Sequence, residues 1–341
     1  MMLDLTLLNQ MLVDGYVSER KHPEHELYIY DYSMHAQIDK VWNDVTMQCR
    51  GLILDKSKNV IARPFPKFFN FDEHKPEDIP QLPFEVYTKL DGSLGILYWI
   101  NDEPFISTRG SFVSSQAIKA TEMLKTHYAN CIPHLQKGRT YLWEIIYPQN
   151  RIVIDYAGQE QLVLLAVIDN ATGRDLPLED IGFPIVQRHD GLDYHNLKEL
   201  EWKNHEGFVV KFSNGFRIKI KFDEYVRLHR IVTGISNKSI WDALRHGQDI
   251  DEILQQVPDE LYAWARLTKE DFLRQYQEIE KTCRNDFKTF DTRKEAALYF
   301  QKCKYPHILF AMLDNMDYSD TIWKLLRPTF ERPFRTVGEI E

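Results

Sequence analysis

The texture of the chain changes near Phe222. Upstream, short runs rich in Val, Ile, Phe and Tyr follow one another: RGLILD, FEVYTKL, GILYWI, YLWEII, RIVIDY, LVLLAVI, EGFVVKF and FRIKIKF. Asp-Gly, Asn-Gly and Pro signals break them apart, which is the pattern of many short strands. One helix interrupts them, expected over Ser114 to Tyr128, with Ile118, Met123, Leu124 and Tyr128 at helical spacing. Downstream the period lengthens. Phe272, Tyr276, Ile279, Cys283 and Phe287 recur at three- and four-residue steps and form one apolar face. Thr268 with Asp271, and Thr292 with Glu295, have the spacing of helix-opening capping boxes. The fold class is therefore α+β: antiparallel sheets over residues 1–222, then an all-helical domain over 223–341. A chain of 341 residues suits two domains of about 150 residues each.

Composition excludes several classes. With 43% hydrophobic and 27% charged residues, the chain can bury a real core. A net charge of -9 argues against a generic polyanion binder, although local basic patches remain open. The four cysteines are far apart, with no C-x-x-C pair. That speaks against a zinc site or a disulfide scaffold and fits a reducing cytoplasm. The N-terminus, MMLDLTLLNQ, carries Asp4 and no basic region, so it is a poor signal peptide. The longest apolar run, Leu162 to Ile168, is too short to span a membrane, and no membrane partner is expected.

FRIKIKF alternates Phe216, Ile218, Ile220 and Phe222 with Arg217, Lys219 and Lys221. Successive strand side chains point to opposite faces, so three cations share one face. A half-buried strand with a solvated basic face is the plain reading. The neighbour upstream, EGFVVKF, changes it. Ser213-Asn214-Gly215 joins the two as a hairpin. That brings Glu206 near the level of Lys219 and Lys221. One carboxylate beside a row of lysines suits a site for phosphate and a hydrated metal. A two-residue turn would aim Phe208 and Val210 at the lysine face, and a three-residue SNG loop would aim Val209.

A second lysine stands between two strands, in YTKLDGSL. Lys89 can be a covalent nucleophile if its amine is deprotonated, and Lys219 and Lys221 are expected to lower its pKa. The natural electrophile beside such cations is phosphorus. On its own, K-x-D-G is a weak motif that a hairpin turn would also explain.

Together these residues resemble the covalent nucleotidyltransferases: ATP-dependent ligases and mRNA capping enzymes. Lys89-Leu90-Asp91-Gly92 resembles motif I, and Ser107-Thr108-Arg109-Gly110 motif Ia. Leu142-Trp143-Glu144 resembles motif III, Glu206-Gly207-Phe208-Val209 motif IV, and Lys219-Ile220-Lys221 motif V. Upstream, CRGLILD and RPFPKFFNFDE, with PQNRIVIDY after motif III, are similar to the bacteriophage-type RNA ligase 1 family of tRNA-repair enzymes. DNA ligases and capping enzymes carry an OB-fold after motif V, where this chain turns helical. The resemblance covers essentially the whole chain, the last hundred residues in texture more than in motif.

The resemblance implies an ATP-grasp-like adenylation domain and an ATP-dependent RNA ligase. Lys89 would take AMP from ATP as a phosphoramidate, pass it to an RNA 5′-phosphate, and an RNA 3′-hydroxyl would displace it. Glu206 and Asp91 would orient the amine and a hydrated Mg²⁺ or Mn²⁺. Lys219 and Lys221 would hold the α-phosphate region, and Gly92 would let the nucleotide approach the backbone. Glu144 would accept from a ribose hydroxyl. Arg109 stands where phage-type enzymes have lysine and would contact ribose or AMP phosphate. Arg50 and Lys67 would grip the β- and γ-phosphates, with Phe69 and Tyr32 near the nucleotide and Val209 walling the adenine. The acidic residues Asp249, Asp251 and Glu252 offer a second divalent-ion site, with Asp251 as ligand, or a solvated helix start. The expected partner is RNA, in particular a tRNA with a broken anticodon loop. A monomer in the cytoplasm of a bacterium or phage-infected cell is implied. Other covalent nucleotidyltransferases and a non-catalytic RNA-binding homologue are the alternatives.

Overall fold

The computed structural model describes residues 3–248 and 259–330. The chain divides into two compact units between Arg227 and Leu228. The first unit carries three sheets. β1 (Val17–Lys21), β2 (Leu27–Tyr32), β3 (Arg50–Asp55) and β4 (Val60–Ala62) form the first in sequence order. β5 is Phe69–Asn70, β6 Phe84–Lys89, β7 Ser93–Ile100, β8 Glu103–Ser107 and β9 Arg139–Ile146. β10 is Gln161–Asp169, β11 Asp175–Leu176, β12 Arg188–His189, β13 Gly207–Phe212 and β14 Arg217–Lys221. The second sheet runs β11-β10-β9-β7-β8 and the third β12-β6-β13-β14-β5. The named pairings are antiparallel except for β14 with β5.

One face of the second sheet packs on the first sheet, through Ile29 and Ile53 against Ile96, Leu142 and Ile168. The same sheet meets the third through Ile146, Val163 and Val186, with Tyr87 and Leu90 packed against them. The third sheet has one wholly apolar face. Phe208, Val210, Phe212, Ile218, Ile220 and Phe222 are all buried. Burying each such side chain stabilises the fold by roughly 1.5–3 kcal/mol. A one-residue register slip would turn this set outward and its lysines inward. Hydrophobic alternation thus fixes where the cations stand. The three-residue loop Ser213–Gly215 forms: Phe212 N–H donates to the Phe216 carbonyl at 2.8 Å, and Lys211 pairs with Arg217.

The helix Ser115–Thr126 lies where the periodicity places it, but its buried face is offset from the one expected. Ala117, Ala120, Met123 and Leu124 are buried, and Ile118 is 59% exposed. Small residues at 117 and 120 let the helix lie close to the sheet, and that outweighs the size of Ile118. Tyr128 stacks on Phe183 beyond the helix end.

The second unit is helical over Asn237–Arg245, Asp259–Asp286, Arg293–Phe300, Pro306–Leu313 and Ser319–Leu325. Phe272, Ile279 and Cys283 are buried, as their spacing requires. Thr292 caps its helix by accepting from the Glu295 N–H at 3.3 Å. Thr268 does not cap. It lies within Asp259–Asp286, and its hydroxyl donates to the Trp264 carbonyl at 2.8 Å. A threonine in a helix interior satisfies its hydroxyl by this four-residue back-bond. Among the described residues no helix is long and apolar enough to cross a membrane.

Candidate active site

Strand register brings the site together. Gly207 pairs with Lys89 on one side and with Lys221 on the other, and Val209 pairs with Lys219. The ends of β6, β13 and β14 therefore stand abreast. Gly207 has φ +142°, and a Cβ there would lie 2.0 Å from the Ile220 carbonyl oxygen. Only glycine permits that approach. Glu206, 2% exposed, is delivered between the two lysines. Its Oε2 lies 2.8 Å from Lys89 Nζ and its Oε1 2.7 Å from Lys221 Nζ.

The electrostatics differ from the expected pattern in one respect. Burial pulls the Lys89 amine down, but the Glu206 and then Glu144 carboxylates outweigh it and hold Lys89 above its ordinary value. Neighbouring cations do not activate Lys89 in this state, because a carboxylate at 2.8 Å counts for more than ammoniums farther off. The depressed amine is Lys219. Burial, then Lys221, Lys89, Lys67 and Arg50, push it down to about 8. Among the described residues no carboxylate pairs with Lys219. Burial would raise Glu206, yet Lys89 and Lys221 hold its carboxyl below the usual range. Burial raises Glu144 to about 8, against the pull of Lys89.

Asp91 and Gly92 are also held by the protein around them. Asp91 is 4% exposed. Its Oδ2 accepts from the Val153 and Ile154 N–H groups at 2.8 and 3.0 Å, and its Oδ1 accepts from the Tyr225 hydroxyl at 2.8 Å. Its own N–H donates to the Tyr156 hydroxyl at 2.7 Å. The carboxylate clasps the segment after β9 and the helix after β14 to the turn beyond Lys89, and its charge adds to those of Glu206 and Glu144 in raising the Lys89 amine. Gly92 lines the cleft, but a Cβ would lie 2.6 Å from the Ile145 carbonyl oxygen. The backbone of β9 itself requires glycine there.

These groups border a cleft of about 630 Å³ between the second and third sheets. Tyr32, Arg50, Lys67, Glu144, Val209 and Lys219 line it. Arg50 is enclosed, with Nη1 unpartnered among the described residues and its guanidinium 5.7 Å from the Phe68 ring. Arg217 shares the cationic face, ion-paired with Asp175. Phe69 packs 5.5 Å from Trp42, beside Lys67. Arg109 is turned to other partners: Nε to Asp31 at 3.0 Å, and Nη1 to the Tyr32 hydroxyl at 3.0 Å. It braces Tyr32. Asp249, Asp251 and Glu252 lie outside the described residues. Among the described residues no group of three or more His, Cys, Asp or Glu could hold a metal. Tyr156 and Tyr225 were not singled out from sequence, although Tyr156 closes PQNRIVIDY and Tyr225 follows motif V by four residues.

A lysine on a carboxylate, flanked by unneutralised cations in a cleft between antiparallel sheets, is suited to attack on a bound polyphosphate. The antiparallel sheets and the helical unit beyond them give the α+β class expected from the sequence. Residues 48–182 match the family model described as RNA ligase. It is 29% identical to a protein of Autographa californica nuclear polyhedrosis virus, provisionally named a bifunctional polynucleotide kinase/RNA ligase, over 71% of this chain and 39% of the relative. It is 26% identical to the RNA ligase of Rhodothermus phage RM378, over 89% of this chain and 85% of the relative. The chain thus spans well under half of the first relative's length. Among solved structures, an archaeal ATP-dependent RNA ligase aligns with TM-score 0.45 and 14% identity, over 92% of this chain and 78% of that one.

Proposed function

We propose that the protein is an ATP-dependent RNA ligase that seals 5′-phosphate and 3′-hydroxyl RNA ends. The observation that supports this most is the Glu206 carboxylate bridging Lys89 and Lys221. In the first step Lys89 Nζ, having lost its proton, attacks the α-phosphorus of ATP. The new N–P bond forms as the bond to the pyrophosphate oxygen breaks. An RNA 5′-phosphate oxygen then displaces Lys89 from that phosphorus. An RNA 3′-hydroxyl finally attacks the 5′-phosphate phosphorus and AMP leaves. Each displacement is in line, so positioning and charge neutralisation carry the catalysis. Arg50, Lys67 and Lys219 surround the polyphosphate with positive charge. Glu144 suits a hydrogen bond to the ribose. A divalent ion would neutralise phosphate charge; Glu206 and Glu144 are the carboxylates beside the cleft that could hold its water shell. We assign substrate recognition to the helical unit and take a tRNA broken in its anticodon loop as the physiological substrate. The enzyme is expected to act as a cytoplasmic monomer.

Joining tests this reading. Single-stranded RNA with 5′-phosphate and 3′-hydroxyl ends should be sealed with ATP and Mg²⁺ and not with GTP. Labelling by GTP, or sealing of nicked DNA in preference to RNA, would favour a capping or DNA-ligase activity instead.

Lys219 gives a pH signature. Free, it is largely neutral at pH 8.5; a bound polyphosphate raises its pKa and returns a proton. Binding of a non-hydrolysable ATP analogue at pH 8.5 should therefore take up protons, measured by calorimetry in buffers of different ionisation enthalpy. Lys219→Met should lose most of that uptake, and equal uptake by both proteins would contradict the assignment. The same depression has a stability sign. Between about 8 and 10.5 the unfolded chain binds more protons at this lysine, so its cost to stability falls as pH rises through that window.

A further inference from the structure

Lys67 has three aromatic neighbours. Its ammonium lies 4.9 Å from the Tyr32 ring centroid, 4.6 Å from Trp42 and 4.8 Å from Phe69. The rings meet edge to face, Tyr32 with Trp42 at 5.2 Å and 89°, and Trp42 with Phe69 at 5.5 Å and 72°. Among the described residues no carboxylate pairs with Lys67. Lys89 and Lys221, by contrast, are both neutralised by Glu206. A ring face attracts an ammonium without cancelling its charge. The cage therefore orders Lys67 and leaves its positive field for an incoming anion.

The cage is itself held. Arg109 lies 5.0 Å from the Tyr32 ring, donates to its hydroxyl and is paired with buried Asp31. Lys67 N–H donates to the Met47 carbonyl at 2.8 Å. Trp42 directly precedes Asn43, which caps the helix Asp44–Gln48 in a reciprocal bond with Thr46. The indole is thus placed by a fixed helix start, and it is the nearest of the three rings to the ammonium.

We propose that Trp42 is a positioning residue for ATP, holding Lys67 aimed at the β- and γ-phosphates, an inference that rests on the ligase reading above. It acts only through Lys67, so it should affect ligands that carry those phosphates and spare those that do not. Affinities for AMP and for a non-hydrolysable ATP analogue would be measured on wild type, Trp42→Phe and Trp42→Leu. Trp42→Leu should weaken the analogue about tenfold and AMP less than twofold, with Trp42→Phe recovering most of the loss. In a Lys67→Ala background, Trp42→Leu should change the analogue's affinity no further. Equal loss for both ligands, no loss for either, or an undiminished effect without Lys67 would each overturn the proposal. A wild-type protein that binds neither ligand would overturn the ligase reading itself.

Discussion

Glu206→Gln is expected to slow formation of the covalent AMP adduct by at least about 100-fold. The amide keeps the shape of the side chain and loses its charge. Lys89 and Lys221 then face one another across a neutral group that accepts with one oxygen only. The pH dependence has a definite sign. Glu206 contributes the largest carboxylate effect holding Lys89 above its ordinary value, with burial opposing it. Without that charge the amine releases its proton more easily, so the rise of rate with pH should move to lower pH while the plateau falls. A residue with only a packing role would lower the plateau and leave the midpoint in place. Glu206→Ala should also destabilise the fold by about 3 kcal/mol, since breaking a buried ion pair leaves its cations uncompensated. Denaturant unfolding would check that value, and an unchanged midpoint would contradict it.

Lys89→Arg is expected to abolish the adduct altogether. Guanidinium keeps a positive charge beside Glu206, so the strand ends keep their ion pair. It stays protonated at any usable pH and offers no nucleophile. The structure makes this a sharp test, because the cleft holds a second candidate amine. Lys219, pushed down to about 8, gives up its proton more readily than Lys89. Ease of deprotonation alone would favour Lys219. Position favours Lys89. It ends its strand beside Gly207, with Glu206 on its amine, whereas Lys219 lies two residues back along β14, opposite Val209. Loss of the adduct in Lys89→Arg would show that position governs.

Much of the cleft was legible in the sequence, for a physical reason. Strand alternation and a hairpin signal place Arg217, Lys219 and Lys221 on one face and bring Glu206 to them, and these distances are set within about fifteen residues of chain. Loop length, which decides whether Val209 or its neighbours face the lysines, was not fixed by the residues alone; the three-residue loop settles the register. What local pattern could not reveal depends on distant partners. Asp91 reads as a charge beside a lysine until Val153, Ile154 and Tyr225 are seen to occupy it. Gly92 reads as room for a ligand, and only the fold shows the β9 carbonyl that also requires glycine there. Trp42 precedes an unremarked short helix, and nothing in its neighbours marks it as a wall around Lys67. Motif pattern shows the cations around Lys89 but not their distances, and distance sets the direction of its shift in favour of the carboxylate. At Thr268 the pattern is ambiguous, because a threonine three residues before an aspartate has the same spacing inside a helix as at its start.

The central claim is that Lys89 carries AMP. Wild-type protein mixed with ATP and Mg²⁺ should gain the mass of one AMP, and peptide mapping should place it on Lys89. Lys89→Arg should gain none. An adduct that persists in that variant, or that maps to Lys219 in the wild type, would contradict the assignment.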